Sequence, residues 1–219
     1  PVSRASLPGA CAVAILCSVA ARPMRRAGAR PMTNSAGAGR TGDEATLREG
    51  ERRTVTVLFS DMKGFTAISE RLDPEEMDAL MNRVFSRFED CVRRRGGTVE
   101  KYIGDAMVAV FGASEIHEDD AARAVDAALE LAAVAKRPGT GFPADLSFRT
   151  GVHTGLVTTG RRGDYDVVTG HTMAVAARLE SAAPPNGVLA SAATREACGE
   201  RFAFSEPREL ALKGKDERV

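Results

Sequence analysis

Between Thr54 and Phe111 the spacing of apolar positions changes twice, and each change marks an element. Val55, Val57, Leu58 and Phe59 are β-branched or large and closely spaced, the composition of a buried strand. That strand carries Asp61 to its C-terminal end, where Gly64 permits a tight turn into a helix. From Met77 the period lengthens, and Leu80, Met81, Val84, Phe85, Phe88, Cys91 and Val92 follow on one face of a long helix. Asp73, Pro74 and Glu76 supply its cap, first turn and capping-box spacing, and Gly96-Gly97 stops it. The period then shortens again. Thr98–Ile103 and Ala106–Phe111 read as two strands joined by a Gly104-Asp105 turn.

Ala121–Ala135 is a second helix, with Val125, Leu129 and Ala132 on one side. The His117-Glu118-Asp119-Asp120 run before it invites a metal reading, but acidic residues at a helix start offset unpaired backbone N–H groups, which accounts for most of the signal. After the Gly/Pro turn region 138–143, Leu146–His153 alternates as a strand, continued through Gly155 by Leu156–Thr159. The order strand-helix-strand-strand-helix-strand predicts an α+β fold with a ferredoxin-like βαββαβ core, an antiparallel-rich sheet with helices on one face. Beyond it, Arg161–Asp166 reads as a charged turn, Val167-Val168 as a short strand, and Gly170–Leu179 as a small-residue helix that projects Arg178. Pro184-Pro185-Asn186-Gly187 ends that helix. Val188–Ala190 (strand), Ala192–Cys198 (helix), Phe202–Phe204 and Glu209–Leu212 (strands) and a Lys213-Gly214-Lys215 turn complete the pattern.

A chain of 219 residues suits one domain with a real core plus tails. Ala10–Ala21 is apolar but shorter than the roughly 20 residues needed to span a bilayer. Residues 1–50 are expected to be a disordered or non-native tail, and 51–219 a single folded domain truncated at its C-terminus. Lys plus Arg and Asp plus Glu balance at 30 each, so no electrostatic argument favours nucleic acid or an anionic membrane. Cys11, Cys17, Cys91 and Cys198 lack zinc or redox spacing, which suits reduced thiols in a cytoplasmic setting.

The candidate chemistry lies in Asp61 at a strand end and Asp105 at a hairpin tip. If their strands are neighbours, two hard carboxylates converge as Mg²⁺ or Mn²⁺ with bound phosphates requires. The same residues are ordinary turn chemistry, and spacing alone leaves both readings open.

Five separated segments arrive in one family's order: VTVLFSDMKGFTAISE at Val55–Glu70, GGTVEKYIGDAMVAVFG at Gly96–Gly112, HEDDAARAVDAAL at His117–Leu129, FRTGVHTG at Phe148–Gly155 and GHTMAVAARLE at Gly170–Glu180. The chain thereby resembles the class III nucleotidyl cyclase catalytic domain, from about Arg53 to Lys215. The resemblance implies cyclase extensions around the core and an adenylyl cyclase that converts ATP to 3′,5′-cyclic AMP and pyrophosphate. It implies that Asp61 and Asp105 bind two Mg²⁺ or Mn²⁺ ions, and that Met62, Lys63, Gly64, Phe65 and Thr66 offer backbone N–H groups to the phosphates. Lys101 falls where the family reads the base; a donor-only side chain suits the N1 acceptor of adenine rather than the N1–H of guanine. Arg178 matches the arginine that stabilises the α-phosphate, and Lys213 or Lys215 the lysine on the terminal phosphates. The implied assembly is a head-to-tail homodimer with composite sites, Asp61 and Asp105 from one chain, Lys101 and Arg178 from the other. Fused regulatory domains, or a heterodimeric cyclase partner, also follow from the resemblance.

Two departures from the pattern change the expected chemistry. Ala174 stands where the family helix usually has an Asn that donates to the transition state. The second base-reading position falls on Val167, and one extra residue in Asp164–Gly170 leaves Asp166 one place off unless a bulge or a looped insertion returns it, or Thr169 in its stead, to the base. A slow enzyme is the expectation. The alternative is a catalytically degenerate nucleotide-binding module, or a subunit completed by another cyclase chain.

Overall fold

The computed structural model describes residues 14–20, 52–137, 139–162 and 165–210, with side chains for 52–137, 139–158 and 170–207. Strand β1 (Ala14–Ala20) precedes the long strand β2 (Arg52–Lys63). A five-residue helix α1 (Phe65–Ser69) and helix α2 (Pro74–Arg93) lead into the hairpin β3 (Thr98–Ile103) and β4 (Ala106–Phe111). Helix α3 (Asp120–Ala135) and strand β5 (Ser147–Arg162) close the first unit. The order β3-β4-β2-β5, antiparallel at every step, is the ferredoxin-like core that the element order predicted. Strand β6 (Tyr165–Thr169), helix α4 (His171–Ala182), strand β7 (Gly187–Ala190) and helix α5 (Ala192–Cys198) follow. After a 3₁₀ turn at Gly199–Arg201 come β8 (Ala203–Phe204) and β9 (Arg208–Leu210). Strand β7 joins β5 in parallel.

Strand β2 explains the layering. Its even positions Leu58 and Met62 join Met107, Ala109, Phe111, Phe148 and Val152 against Leu80, Val84 and Phe88 of α2 and Leu131 of α3. Burial of each of these Val, Leu, Phe and Met side chains contributes about 1.5–3 kcal/mol relative to exposure. The odd positions Val55 and Val57 are equally apolar and gather Val108, Val110, Val157 and Ala176 of α4. The second sheet face therefore also needs a cover. Helices lie on both faces, not on one as the sequence pattern suggested, and α4 is the cover that the pattern did not assign.

The ends of α2 are as expected. The Asp73 side chain accepts from Glu76 N at 2.8 Å, and the reciprocal Glu76 contact to Asp73 N completes the capping box. Strand β5 is one continuous element of 16 residues, and β6 begins inside the stretch expected as a charged turn. The continuation expected through Gly155 is present, and β5 pairs with β2 from Arg52↔Thr158 to Lys63↔Ser147 without interruption. Within the stretch read as a tail, Ala14–Ala20 forms β1 and pairs with β7, β8 and β9. The rest of that stretch, and residues 211–219 with Lys213 and Lys215, lie outside the described residues.

Candidate active site

Three strands end at one rim of the sheet and bring three charged side chains together. Asp61 on β2 is paired with Ala106 of β4 on one side and Arg149 of β5 on the other. Asp105 directly precedes Ala106 in the Gly104-Asp105 turn, so the two carboxylates sit on adjacent strands one residue apart in register. Gly104 adopts φ +62°, and the turn is as tight as the sequence predicted. Arg149 Nη2 donates to Asp61 Oδ2 at 2.6 Å and lies 3.1 Å from Glu180 Oε1 of α4.

This cluster holds one guanidinium against three carboxylates, Asp61, Asp105 and Glu180, a formal excess of two negative charges when all are ionised. The electrostatics register that excess. Burial pushes the Asp105 carboxyl above its ordinary value, and the neighbouring Asp61 charge adds to the rise. Burial raises Glu180 in the same way, with Arg149 pulling against it. The Arg149 guanidinium is shifted up by its hydrogen bond to Asp61. Among the described residues no three His, Cys, Asp or Glu side chains form a metal cage. Two hard carboxylates with surplus charge fit a divalent cation that draws its remaining oxygen ligands from phosphates and water.

Helix α4 reaches the cluster because Gly151 lets it. A Cβ at Gly151 would lie 2.3 Å from Ala176 O and 2.4 Å from Glu180 N, so the helix backbone rests directly on β5. That seat delivers Glu180, only 5% exposed, to Arg149. It also leaves Ala174 and Arg178, one helical turn apart, on the accessible side of α4.

Lys101 reaches the same sheet face through an irregularity. Val99 pairs with Ala109 but Lys101 with Val108, so Glu100 is an extra residue in a β-bulge. Without the bulge Lys101 would share the face of Val99, which packs toward α2. Tyr102 then returns to the α2 side, where its ring stacks on Phe85 at 4.2 Å and its hydroxyl donates to Glu89 Oε1 at 2.7 Å. Lys101 is thus exposed on the Asp61 face, two strands or about 10 Å across the sheet.

The Met62–Thr66 segment divides. Met62 is buried in the α2–α3 core and paired with Phe148, and Lys63 is paired with Ser147. Gly64, at φ +94°, turns the chain, and Phe65 and Thr66 open α1. A side chain at Gly64 would also meet Asp145 O at 3.0 Å. Asp166 sits opposite Arg161 in a β5–β6 pairing that runs one-to-one, without the bulge that would shift it by one position. In the His117–Asp120 run, Asp120 Oδ2 accepts from His117 N, and Asp119 pairs with Arg123 and Arg201. That run is structural. Arg149 and Glu180 were not singled out by the sequence, in which Arg149 was one polar position of an alternating strand and Glu180 the end of a helix motif.

The profile of the Adenylate and Guanylate cyclase catalytic domain matches residues 47–219. The chain belongs to the class III nucleotidyl cyclase catalytic domain family. Adenylate cyclase 1 of Rhizobium meliloti (strain 1021) is 33% identical to this cyclase domain over 180 residues, 77% of the chain and 27% of that protein. Guanylate cyclase soluble subunit beta-2 of Rattus norvegicus is also 33% identical, over 173 residues covering 76% and 25%. The crystal structure of the guanylyl cyclase Cya2 superposes with a TM-score of 0.71 at 32% identity, covering 78% of this chain and 90% of that one. Overall similarity therefore does not separate the two substrates. The cyclase domain spans between 14% and 40% of the length of the curated relatives it matches. No helix among the described residues is long and apolar enough to cross a membrane.

Proposed function

We propose that this cyclase domain makes 3′,5′-cyclic AMP and pyrophosphate from ATP in the cytoplasm. The observation that carries the reading is Lys101, which the bulge at Glu100 turns to the face of the acidic cluster. An ammonium donates three hydrogen bonds and accepts none, which favours the N1 acceptor of adenine over the N1–H of guanine.

In this reading Asp61 and Asp105 hold two Mg²⁺ or Mn²⁺ ions, which when bound acidify the ribose 3′-hydroxyl and neutralise charge on the departing pyrophosphate. The 3′-oxygen attacks the α-phosphorus, and the bond to the oxygen of the leaving pyrophosphate breaks. Arg178 sets its donor fork against the charge that develops on the α-phosphate. The turn at Gly64, Phe65 and Thr66 offers backbone N–H groups to the polyphosphate, and Lys213 or Lys215 neutralises its end. Lys101 and Arg178 act across a head-to-tail homodimer on the acidic cluster of the other protomer, so each site is composite. Ala174 occupies the accessible side of α4 one turn before Arg178, and its methyl donates no hydrogen bond. Loss of one transition-state donor costs about 10²–10³ in rate, so turnover is slow.

A second reading rests on Ala174 together with the uninterrupted β5–β6 register. Here the domain binds nucleotide as a regulatory module, or is a subunit whose missing donor comes from a different cyclase chain. Cyclic nucleotide production from Mn²⁺·ATP and Mn²⁺·GTP, measured against an Asp61→Asn variant over a protein concentration series, decides between them. Cyclic AMP that rises more than linearly with protein and vanishes in the variant supports the enzyme. No product from either nucleotide by the folded protein refutes it.

A further inference from the structure

Arg149 is held between two carboxylates on different elements, and the two contacts are unequal. The hydrogen bond to Asp61 Oδ2 is 2.6 Å long and well formed. The contact to Glu180 Oε1 is an ion pair of 3.1 Å without hydrogen-bond geometry, so that oxygen is buried with no hydrogen bond among the described residues. Arg149 Nε is buried and unbonded as well. The pair thus keeps one spare donor and one spare acceptor, whereas a guanidinium and a carboxylate can close two parallel N–H···O bonds.

Asp61 cannot serve Arg149 and a divalent cation on equal terms. Lone pairs turned to a cation are lost to the guanidinium, and the two positive groups repel each other. Arg149 must then release Asp61, yet a largely buried guanidinium without a partner is strongly unfavourable. Glu180 is placed to take it. Its other oxygen accepts from Ser181 Oγ at 3.2 Å, and its backbone is seated on Gly151, so the carboxylate is fixed before any ligand arrives.

We propose that Glu180 is a positioning residue that retains Arg149 at the rim when Asp61 turns to a divalent cation. The inference rests on the reading that Asp61 and Asp105 hold the cation. Glu180, buried as it is, acts through Arg149 and not on the nucleotide. Arg149 balances the charge of the acidic cluster and, through Glu180, stays in place when Asp61 turns to a cation.

The test is a Mn²⁺ titration of the full chain without nucleotide, with free Mn²⁺ followed by its EPR signal, on the parent, Glu180→Gln, Arg149→Met and the double variant. Glutamine matches glutamate in size without its charge, so Arg149 then depends on Asp61 alone. Mn²⁺ affinity should fall roughly tenfold, the size of an ordinary coupling between contacting groups. In the Arg149→Met background, where no guanidinium competes for Asp61, the same change should alter affinity less than about twofold. An equal loss in both backgrounds overturns the proposal, because Glu180 would then act on the cation by itself. Unchanged affinity in the single variant overturns it too. Glu180→Asp against Glu180→Asn repeats the comparison with a shorter side chain: the charged variant should bind Mn²⁺ the better of the two, and equal losses overturn the proposal even if the glutamine variant fails to fold. Parent protein that binds no Mn²⁺, or binds it equally after Asp61→Asn, overturns the cation reading and this inference with it. Parent binding that depends on Asp61 but ignores Glu180 overturns the inference alone.

Discussion

Replacing Gly151 by alanine adds one methyl group at the point where sheet and helix α4 touch. The new Cβ would stand 2.3 Å from Ala176 O and 2.4 Å from Glu180 N, and both are backbone atoms that no side-chain rotation can move aside. Ordinary contact begins near 3.4 Å, so α4 must retreat by about 1.1 Å, the difference between 3.4 and 2.3 Å. Overpacking of this kind costs about 1–3 kcal/mol, which for a chain of this length lowers Tm by roughly 2–12 °C. The chemistry should suffer more than the stability. The same retreat carries Glu180 away from Arg149 and shifts Arg178, and a misplacement of about 1 Å can cost on the order of 10²-fold in rate. Calorimetric unfolding gives the first quantity, and cyclic nucleotide production per folded protein at 10 °C below Tm gives the second. A variant with Tm within 1 °C of the parent and unchanged turnover would refute the claim that the helix seat on Gly151 organises the site.

Restoring a donor by Ala174→Asn should raise turnover, with about 10³-fold as the ceiling and little change in KM, as measured by steady-state kinetics with Mn²⁺·ATP. Deleting Glu100 removes the bulge but leaves Lys101 opposite Val108 on the same face, so any preference for ATP over GTP in competition assays should survive the deletion and be lost in Lys101→Glu. His153, whose Nδ1 lies 2.8 Å from Ser191 Oγ, is held down to a pKa of about 4 by burial, with the nearby His171 adding repulsion. It stays neutral in the fold while the unfolded chain takes up a proton near pH 6.5, so stability falls as pH drops from 6.5 toward 4 and levels off below. The loss is at most about 3 kcal/mol. Denaturant unfolding between pH 4 and 7 should show that slope in the parent and lack it in His153→Asn.

Much of the core was legible because its elements depend on local pattern. The capping box of α2 needs only Asp73, Pro74 and Glu76 in sequence, and the tight turn of the β3–β4 hairpin needs only Gly104-Asp105 between two apolar runs. Strand β5 was legible through Gly155, where its pairing with β2 supplies hydrogen bonds that override the weak strand preference of glycine. The second covered face of the sheet was present in the pattern. Val55 and Val57 alternate with Leu58 and Met62, and apolar residues at both parities require layers on both sides.

Site residues divide along the same line. Asp61 and Asp105 could be named because each ends a recognisable local element, whereas the role of Arg149 depends on a partner 88 positions away in sequence. Nothing around Arg149 reveals that it stands beside Asp61 until the β2–β5 register is known. One signal was available, since Phe148, Thr150 and Val152 make one side of the strand a core face and leave a buried-strand arginine on the other side that must find an anion. The bulge at Glu100 was less accessible still. Nothing in the TVEKYI run distinguishes a regular strand from one with an extra residue, because a bulge exists only relative to the strand it pairs with. Its effect is to move Lys101 from the packed face to the open one. The face that Lys101 presents is thus set by the β3–β4 register, the feature least visible in the sequence.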